Sequence, residues 1–278
     1  MKYIATLGLA GCLLLSACSA DADSESSKDS EAVSGQAQES EKKPEEKEVE
    51  ENSDVDKEEP AEQERVDPLY EINEANWSVS PIGDANSKVV LLTFDDAPDQ
   101  HAVEMAHKLK ELDAKAIFFV NGHFLDTPEE EEKLKEIHDL GFPIGNHTFS
   151  HPSLPDLTEE EQREEIVSLN DRVEEIIGEK PVFFRAPFGA NTDYSKQVVK
   201  DEGMVLMNWT YGYDWEADYQ NSASLADIMV NTEYLTNGAN LLMHDRTWTN
   251  EALPAIVSGL RDKGYDLVDP LTIKGVSE

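Results

Sequence analysis

From residue 67 onward, short apolar runs alternate with longer segments of helical periodicity, and this alternation limits the possible folds more than any other feature. The apolar runs have the length of strands and cover residues 89–94, 116–120, 142–144, 182–184, 204–209, 241–243 and 265–268. The helical segments cover residues 101–112, 129–140, 158–177, 195–202, 222–235 and 251–262. Short strands that alternate with helices indicate an α/β fold with a parallel sheet. One domain can close such a sheet, so we predict a (β/α) barrel of about seven parallel strands.

The ends of the predicted helices carry local signals of their own. Thr158 and Glu161 have the spacing of a capping box at the start of the longest helix. Glycines follow five of the predicted helices, where a C-cap favours a residue with positive φ. These glycines are Gly141, Gly178, Gly203, Gly238 and Gly264.

The N-terminal residues 1–17 are predicted to be a signal peptide. Residues 3–15 are almost wholly apolar or small, and this run is shorter than the roughly 20 residues of a membrane-spanning helix. The sequence LSAC at residues 15–18 resembles the bacterial lipobox, which implies cleavage before Cys18 and lipidation of its thiol. We prefer Cys18 to Cys12, because cleavage before Cys12 leaves too short an apolar region. The alternative is an ordinary secretory signal with an incidental cysteine.

Residues 18–66 are predicted to form an acidic, disordered linker. Residues 19–66 hold 18 acidic and 6 basic side chains, one glycine and no aromatic residue. Such a segment cannot bury enough apolar surface to offset the entropy lost on ordering. As a flexible coil it has an r.m.s. span of about 40 Å, which charge repulsion extends. It would let a lipid-anchored domain reach away from the membrane.

The charge and the cysteine count exclude several classes of protein. The chain has 23 basic and 59 acidic side chains and a net charge of −36, which argues against nucleic-acid binding because the phosphate backbone would be repelled. Two cysteines exclude a disulfide-stapled scaffold and a Cys-rich zinc site. Residues 67–278, the predicted folded domain, alone carry a net charge of −25. We interpret this excess as adaptation to salty or alkaline surroundings, with a chance acidic surface as the alternative.

Polar residues concentrate at the carboxyl ends of five predicted strands. These segments are residues 93–98, 147–151, 185–189, 209–215 and 242–245. In a barrel, the carboxyl ends of the strands meet at one mouth, where the chemistry of such folds takes place. Three of the seven histidines fall in these segments. Their coincidence therefore predicts one active site.

Each of these residues also has a simpler interpretation. Adjacent aspartates such as Asp95 and Asp96 are often helix caps or turn formers. His147 and His151 can bind one metal ion only if their segment forms a turn. Arg185 can be explained by a surface salt bridge, and a histidine such as His244 at the end of an apolar strand is often only packed.

In their order along the chain, the sequences TFDD, HTFSH, RAPFG, DW and LMH resemble the five motifs of the polysaccharide deacetylases, the NodB-homology domain of carbohydrate esterase family 4. The resemblance covers residues 88–270. It implies a distorted (β/α) barrel of the NodB type and one divalent metal ion, usually zinc. It also implies hydrolysis of N- or O-acetyl groups of polysaccharides.

The resemblance assigns the metal ligands and the base. Asp96, His147 and His151 would bind the metal ion, which would polarise the acetyl carbonyl. Asp95 would be the general base that accepts the proton of the attacking water. Arg185 would hold Asp95 ionised and oriented through a charge-assisted hydrogen bond. Zinc, cobalt and nickel all suit this ligand set.

The resemblance also assigns the acid and the walls of the pocket. The backbone N–H of Phe188 would help to stabilise the oxyanion. His244 would protonate the departing amine, and Asp214 would raise its basicity. Leu242 and Trp215 would form the pocket for the acetyl methyl group.

The sequence departs from the family pattern at four points. Ala97 stands where the family usually has glycine. Gly212 stands where the family often has an aspartate, and the spacing from there to Asp214 is one residue shorter. Asn240 stands where an apolar residue is common.

We therefore expect a metal-dependent hydrolase that deacetylates an N-acetylated cell-wall polysaccharide, with N-acetylglucosamine of peptidoglycan as the first candidate substrate. Chitooligosaccharide or acetylxylan is the alternative within the enzyme class. A catalytically silent glycan-binding lipoprotein is the alternative outside it. With the lipobox, the resemblance suggests a Gram-positive lipoprotein on the extracellular face of the cell membrane that reaches into the cell wall.

Overall fold

The computed structural model describes residues 67–276. The strands are β1 (Tyr70–Ile72), β2 (Val79–Pro81), β3 (Val89–Ala97), β4 (Ile117–Val120), β5 (Ile144–Asn146), β6 (Phe183–Phe184), β7 (Val205–Leu206), β8 (Ala239–His244) and β9 (Asp266–Leu267). The helices are α1 (Ala102–Glu111), α2 (Pro128–Asp139), α3 (Glu159–Ile177), α4 (Asp193–Asp201), α5 (Ser222–Asn231) and α6 (Thr247–Asp262). The predicted signal peptide 1–17, the linker 18–66 and the lipidation of Cys18 lie outside the described residues.

Seven strands form one parallel sheet in the order β7-β6-β5-β4-β3-β8, and β9 pairs with the first residues of β3. The segment after β7 returns to β8, because Thr210 N–H donates to the Asn240 carbonyl and Leu242 N–H donates to the Tyr211 carbonyl. These bonds curve the sheet back on itself. The predicted distorted (β/α) barrel of about seven parallel strands is confirmed.

Apolar residues on both faces of β3 pack into two different cores. Val90, Leu92 and Phe94 belong to a cluster with the surrounding helices, whereas Val89 and Leu91 belong to a cluster inside the sheet. Successive side chains of a strand point to opposite faces, so an unbroken apolar run fits a strand that is buried on both sides. The outer helices and the filled interior together fix the positions of the strand ends.

All seven predicted strands and all six predicted helices are present, but some boundaries differ. Helix α5 ends at Asn231 rather than at residue 235, and α6 begins at Thr247 rather than at residue 251. Gly238 is therefore not a helix C-cap, although its φ of +78° is positive. It precedes β8, and a Cβ there would collide with the carbonyl oxygen of Val79.

The short antiparallel pair of β1 and β2 was not predicted. Tyr70 and Val79 from this pair are buried in the inner core cluster, beside Ile273. The pair therefore packs against the apolar interior of the sheet. No helix in residues 67–276 combines the length and the apolar character needed to cross a membrane.

Candidate active site

The carboxyl ends of the strands surround a cleft of about 520 Å³. Its lining is mostly aromatic and titratable, and consists of Asp95, Asp96, His147, His151, Phe188, Trp209, Asp214, Trp215, Gln220, Leu242, His244, Arg246 and Trp248. The five strand ends singled out in the sequence all contribute to this cleft. Arg185 alone among the predicted site residues of the described chain does not line it, because its side chain is fully buried beneath.

Three candidate metal ligands lie together in the cleft. Asp96 follows Asp95 near the end of β3, and His147 and His151 flank a turn after β5. One ligand atom from each of the three residues lies within 4.8 Å of the others. The Oδ1 atom of Asp96 is 3.6 Å from His151 Nε2 and 3.9 Å from His147 Nε2. Two imidazoles and one carboxylate at this spacing can hold a divalent cation with positions left for other ligands.

Hydrogen bonding fixes the form of His147 that can bind a metal ion. Its Nδ1 lies 2.7 Å from the carbonyl oxygen of Arg185, so Nδ1–H donates and the lone pair of Nε2 faces Asp96. Burial lowers the pKa of His147, against the raising effect of the Asp95 and Asp96 carboxylates. The neutral imidazole is the form that coordinates metals.

The Asp96 carboxylate is held ionised by its cationic neighbours. Burial raises its pKa, but the electrostatic influence of the surrounding histidines, His244 first, and of Arg246 outweighs burial and lowers it. A metal ligand of this type must be ionised, so the electrostatic surroundings suit that role.

Asp95 is paired with a buried arginine. Arg185 Nη1 donates to Asp95 Oδ1 at 2.6 Å, and both side chains are almost completely buried. The other oxygen, Oδ2, is 3.5 Å from His147 Nε2 and faces the candidate metal ligands. Arg185 is therefore part of a buried ion pair and not of a surface salt bridge.

Arg185 is held in turn by polar groups around it. Its Nη1 also donates to Thr93 Oγ1 at 2.8 Å, and its Nη2 donates to the carbonyl of Asn208 at 2.9 Å and to Asn240 Oδ1 at 3.4 Å. Its guanidinium carbon lies 4.3 Å from the centre of the Phe119 ring. Asn240, at a position where an apolar residue is common, therefore provides a polar contact for this arginine.

His244 and Asp214 form a second hydrogen-bonded pair across the cleft. Asp214 Oδ1 is 2.7 Å from His244 Nδ1, and Asp214 Oδ2 accepts from the backbone N–H of His244 at 2.6 Å and from Thr249 Oγ1 at 2.8 Å. Burial lowers the pKa of His244, but the hydrogen bond to Asp214 and the negative charge of Asp214 outweigh burial, so the pKa is raised overall. The shorter spacing before Asp214 therefore does not keep its carboxylate from the ring.

Gly212 has a structural reason to lack a side chain. A Cβ at this position would collide with the carbonyl oxygen of Leu242 and lie 2.7 Å from the Trp215 ring. The absence of a side chain lets Trp215 pack at this point. The positive φ near the end of β3 falls on Asp96, at +59°, and Ala97 is the last residue of this strand. Glycine is therefore not required at position 97.

The remaining predicted residues form the walls of the cleft. Phe188 lies in a turn with φ of +59°, and its exposed ring is 5.0 Å from the His151 ring. Trp215, also exposed, contacts the His244 ring edge-on at 5.5 Å. Leu242 is buried at the base. The roles of Phe188 N–H in the oxyanion site and of Trp215 and Leu242 around the acetyl methyl stay predictions.

Arg246 was not among the predicted site residues, yet it contacts a candidate metal ligand. Its Nη2 donates to Asp96 Oδ2 at 2.9 Å. Arg246 directly follows the LMH motif and Asp245, so a basic residue at the mouth of the barrel was visible in the sequence. Its partner was not visible, because β3 and β8 are adjacent only in the folded sheet.

Comparison with known proteins places the chain among deacetylases. The sequence profile described as polysaccharide deacetylase matches residues 82–235. A peptidoglycan-N-acetylmuramic acid deacetylase of Bacillus subtilis is 30% identical over 189 residues, which is 66% of this chain and 70% of that protein. A peptidoglycan-N-acetylglucosamine deacetylase of Bacillus cereus is 30% identical over 199 residues, which is 67% of this chain and 68% of that protein.

A solved structure with the same fold adds a distinction. It is a carbohydrate esterase family 4 pseudoenzyme of Bacillus anthracis, with a TM-score of 0.59 and 29% identity, covering 66% of this chain and 63% of that chain. Proteins of this fold thus include both enzymes and a pseudoenzyme, so we infer catalysis from the side chains of the cleft rather than from the fold. The matched profile and the two deacetylase relatives show that this chain belongs to the polysaccharide deacetylase family.

Proposed function

We propose that the protein is a metal-dependent hydrolase that removes N-acetyl groups from a cell-wall polysaccharide. One observation carries the proposal: a carboxylate paired with Arg185 and an imidazole paired with Asp214 line the same cleft as the Asp96, His147 and His151 cluster. A base, an acid and a set of cation ligands are the groups that metal-assisted amide hydrolysis requires.

The donor set fits a divalent cation. Asp96, His147 and His151 would hold it through Oδ1 and the two Nε2 atoms, which face one another within 4.8 Å. A bound ion of this kind supplies Lewis-acid polarisation of the acetyl carbonyl. Zinc is our first candidate, and cobalt and nickel suit the same ligands.

The protein side chains carry the proton transfers. Asp95 accepts the proton of the attacking water through Oδ2, because its other oxygen is bound by Arg185. A charge-assisted hydrogen bond of this kind orients the carboxylate. His244 then delivers a proton to the departing amine from the ring nitrogen that Asp214 leaves free. The hydrogen bond and charge of Asp214 raise the pKa of His244, which favours the protonated imidazole.

The substrate is proposed from the relatives. Both peptidoglycan deacetylases described above act, by name, on a sugar of the cell wall, one on N-acetylglucosamine and one on N-acetylmuramic acid. We keep N-acetylglucosamine of peptidoglycan as the first candidate, and the relative from Bacillus subtilis makes N-acetylmuramic acid the second. Exposed aromatic rings of Phe188 and Trp215 at the rim provide apolar surface for a sugar ring.

The test is acetate release from purified peptidoglycan, chitin oligomers and acetylxylan, followed by mass spectrometry of the digested glycan to identify the deacetylated sugar. Acetate from peptidoglycan with glucosamine in the product supports the proposal. Release only from chitin oligomers or acetylxylan would replace the substrate. No release from any of them, with zinc added, would favour a silent glycan-binding protein.

We also propose, from residues 1–66 alone, that the domain is lipid-anchored outside the cell and tethered by an acidic linker. The proposal is supported by the LSAC sequence at residues 15–18 and by the composition of the segment that follows. Replacing Cys18 by alanine should move the protein from the membrane fraction to the medium. If Cys12→Ala does so and Cys18→Ala does not, the cleavage site is Cys12.

A further inference from the structure

Arg246 and Arg185 contact the two adjacent aspartates of the site in matching ways. Arg185 binds Oδ1 of Asp95 and leaves Oδ2 toward the cleft. Arg246 binds Oδ2 of Asp96 and leaves Oδ1 toward the two histidines. In each carboxylate, one oxygen is therefore held by a guanidinium and the other is left for chemistry. Nothing in the family resemblance assigned a role to Arg246.

The Arg246 guanidinium is itself fixed in place. Its Nη1 donates to the carbonyl oxygen of Asp245 at 3.0 Å and lies 3.8 Å from Asp99 Oδ2. The buried Asp245 carboxylate accepts from the backbone N–H groups of Gln100, His101 and Ala102. The end of β8 is thus bonded to the loop that follows Asp96.

A hydrogen-bond partner is needed to orient the Asp96 carboxylate, because the backbone does not fix the rotation of the carboxylate about its last side-chain bond. The φ of Asp96, at +59°, lies in the left-handed region, which non-glycine residues seldom adopt. The carboxylate is free to turn about its last side-chain bond unless a partner fixes it. Within residues 67–276, Arg246 is the residue that donates a hydrogen bond to its Oδ2.

We propose that Arg246 is a positioning residue for Asp96, which binds Oδ2 and so restricts the aspartate to coordination of the metal ion through Oδ1 alone. Removal of a residue that hydrogen-bonds to a metal ligand and orients it commonly changes metal affinity by about 10- to 100-fold. This inference rests on the proposed metal site. It goes beyond that site by assigning what sets the geometry of one ligand.

Affinity alone would be an ambiguous measure, because a guanidinium near a cation also repels it. The visible absorption spectrum of bound Co²⁺ is a better readout, because it reports coordination geometry. A carboxylate that binds through both oxygens raises the coordination number and weakens the absorption. A change of charge alone leaves the ligand set unchanged.

The experiment compares the wild-type protein with Arg246→Lys and Arg246→Met after loading with Co²⁺. Lysine keeps the charge and a donor, whereas methionine keeps only a flexible apolar side chain without charge or donor. We expect the wild-type and Arg246→Lys spectra to agree. We expect Arg246→Met to give a weaker absorption of higher coordination and about a 10-fold change in Zn²⁺ affinity, measured by chelator competition.

A wild-type spectrum in the Arg246→Met protein would overturn the inference. If Arg246→Met fails to fold, Arg246→Gln replaces it. The glutamine side chain is polar and uncharged, and its amide nitrogen ends two bonds short of the position of the guanidinium Nη atoms. His147→Ala separates this inference from the proposed function. If wild type and His147→Ala bind Co²⁺ equally, the metal site itself is wrong; if only His147→Ala loses it, the site stands and Arg246 is judged by its spectrum.

Discussion

Adjacent residues at one strand end have separate chemical surroundings. Asp95 accepts a hydrogen bond from the fully buried Arg185, whereas Asp96 is bound by the partly exposed Arg246 and faces two imidazoles. Successive residues of a regular strand point to opposite sides, but the positive φ of Asp96 interrupts this alternation, and both carboxylates line the same cleft. The two adjacent carboxylates of the sequence DD therefore have different surroundings, which fits the different roles proposed for them.

This difference predicts separable effects of substitution at the two aspartates. Asp95→Asn should keep bound metal and lower the deacetylation rate by about 10²- to 10⁴-fold, the usual contribution of one acid–base group. Asp96→Asn and His147→Ala should lose both metal and activity. Elemental analysis and acetate release measure the two properties.

The control for His147→Ala is His107→Ala, which removes a half-exposed imidazole paired with Glu136 away from the cleft. Its metal content and activity should equal those of the wild type. If Asp95→Asn lost metal and Asp96→Asn kept it, the two roles would have to be exchanged.

The His244–Asp214 pair predicts a pH dependence. The Asp214 carboxylate raises the pKa of His244, so the protonated imidazole persists to higher pH and the acid function is lost as pH rises through that pKa. The alkaline limb of the bell-shaped rate profile should therefore move to lower pH in Asp214→Asn, with metal content unchanged. His244→Ala should lower the rate by about 10²- to 10⁴-fold.

The matched control for the pH profile is Asp218→Asn, an exposed aspartate of the same loop. It should leave both limbs in place. An unshifted alkaline limb in Asp214→Asn would reduce Asp214 to a structural residue that binds the His244 backbone and Thr249, and the acid role of His244 would then have to be supported without it.

At the scale of the element, the sequence predicted which strands and helices are present better than it predicted where they begin and end. Every strand of the parallel sheet was predicted, because buried apolar runs and helical periodicity differ strongly. The start of α6 was missed because Thr247 and Trp248 are weak helix formers and because the helix contains Pro254, a residue that usually disfavours a helix interior. The pair of β1 and β2 was missed because three-residue strands are too short to show alternation.

The contacts that complete the site were also outside the reach of the sequence. The pairing of Arg246 with Asp96, and of Asn240 with Arg185, joins residues that are far apart along the chain. Only the order of strands in the sheet brings them together. Family motifs could name the reacting residues, but the residues that hold them in this chain became visible only in the fold.

One predicted element boundary can be tested by stability. Thr158 accepts a hydrogen bond from the backbone N–H of residue 161 and starts the 19-residue helix α3. Thr158→Ala should lower the free energy of unfolding by about 1 kcal/mol, the usual cost of a lost N-cap. Urea denaturation measures it, and the slope with urea should not change.

The control for Thr158→Ala is Thr236→Ala, an exposed threonine between α5 and β8 that caps no helix. It should change the unfolding free energy by less than about 0.5 kcal/mol. Equal effects of the two substitutions would show that the capping box contributes nothing to stability.

At the scale of the whole molecule, charge is the dominant feature. Residues 67–278 carry 41 acidic and 16 basic side chains. Some acidic residues are paired, as Glu131 is with Arg172 at 2.5 Å. Acidic side chains nevertheless exceed basic ones by 25 in residues 67–278, and exposed ion pairs contribute little to stability.

Added salt should therefore stabilise the protein. Salt screens attraction and repulsion alike, but repulsion is the larger sum because acidic side chains exceed basic ones by 25 in this part of the chain. The Debye length falls from about 10 Å at 0.1 M to about 3 Å at 1 M. We expect the melting temperature to rise over this range of NaCl.

In the double variant Glu164→Gln with Glu174→Gln, which removes two exposed carboxylates of α3, the rise should be smaller. A melting temperature that is flat or falls with salt would contradict the hypothesis of adaptation to salty or alkaline surroundings, and an equal rise in the variant would assign the effect to salting-out of apolar surface instead.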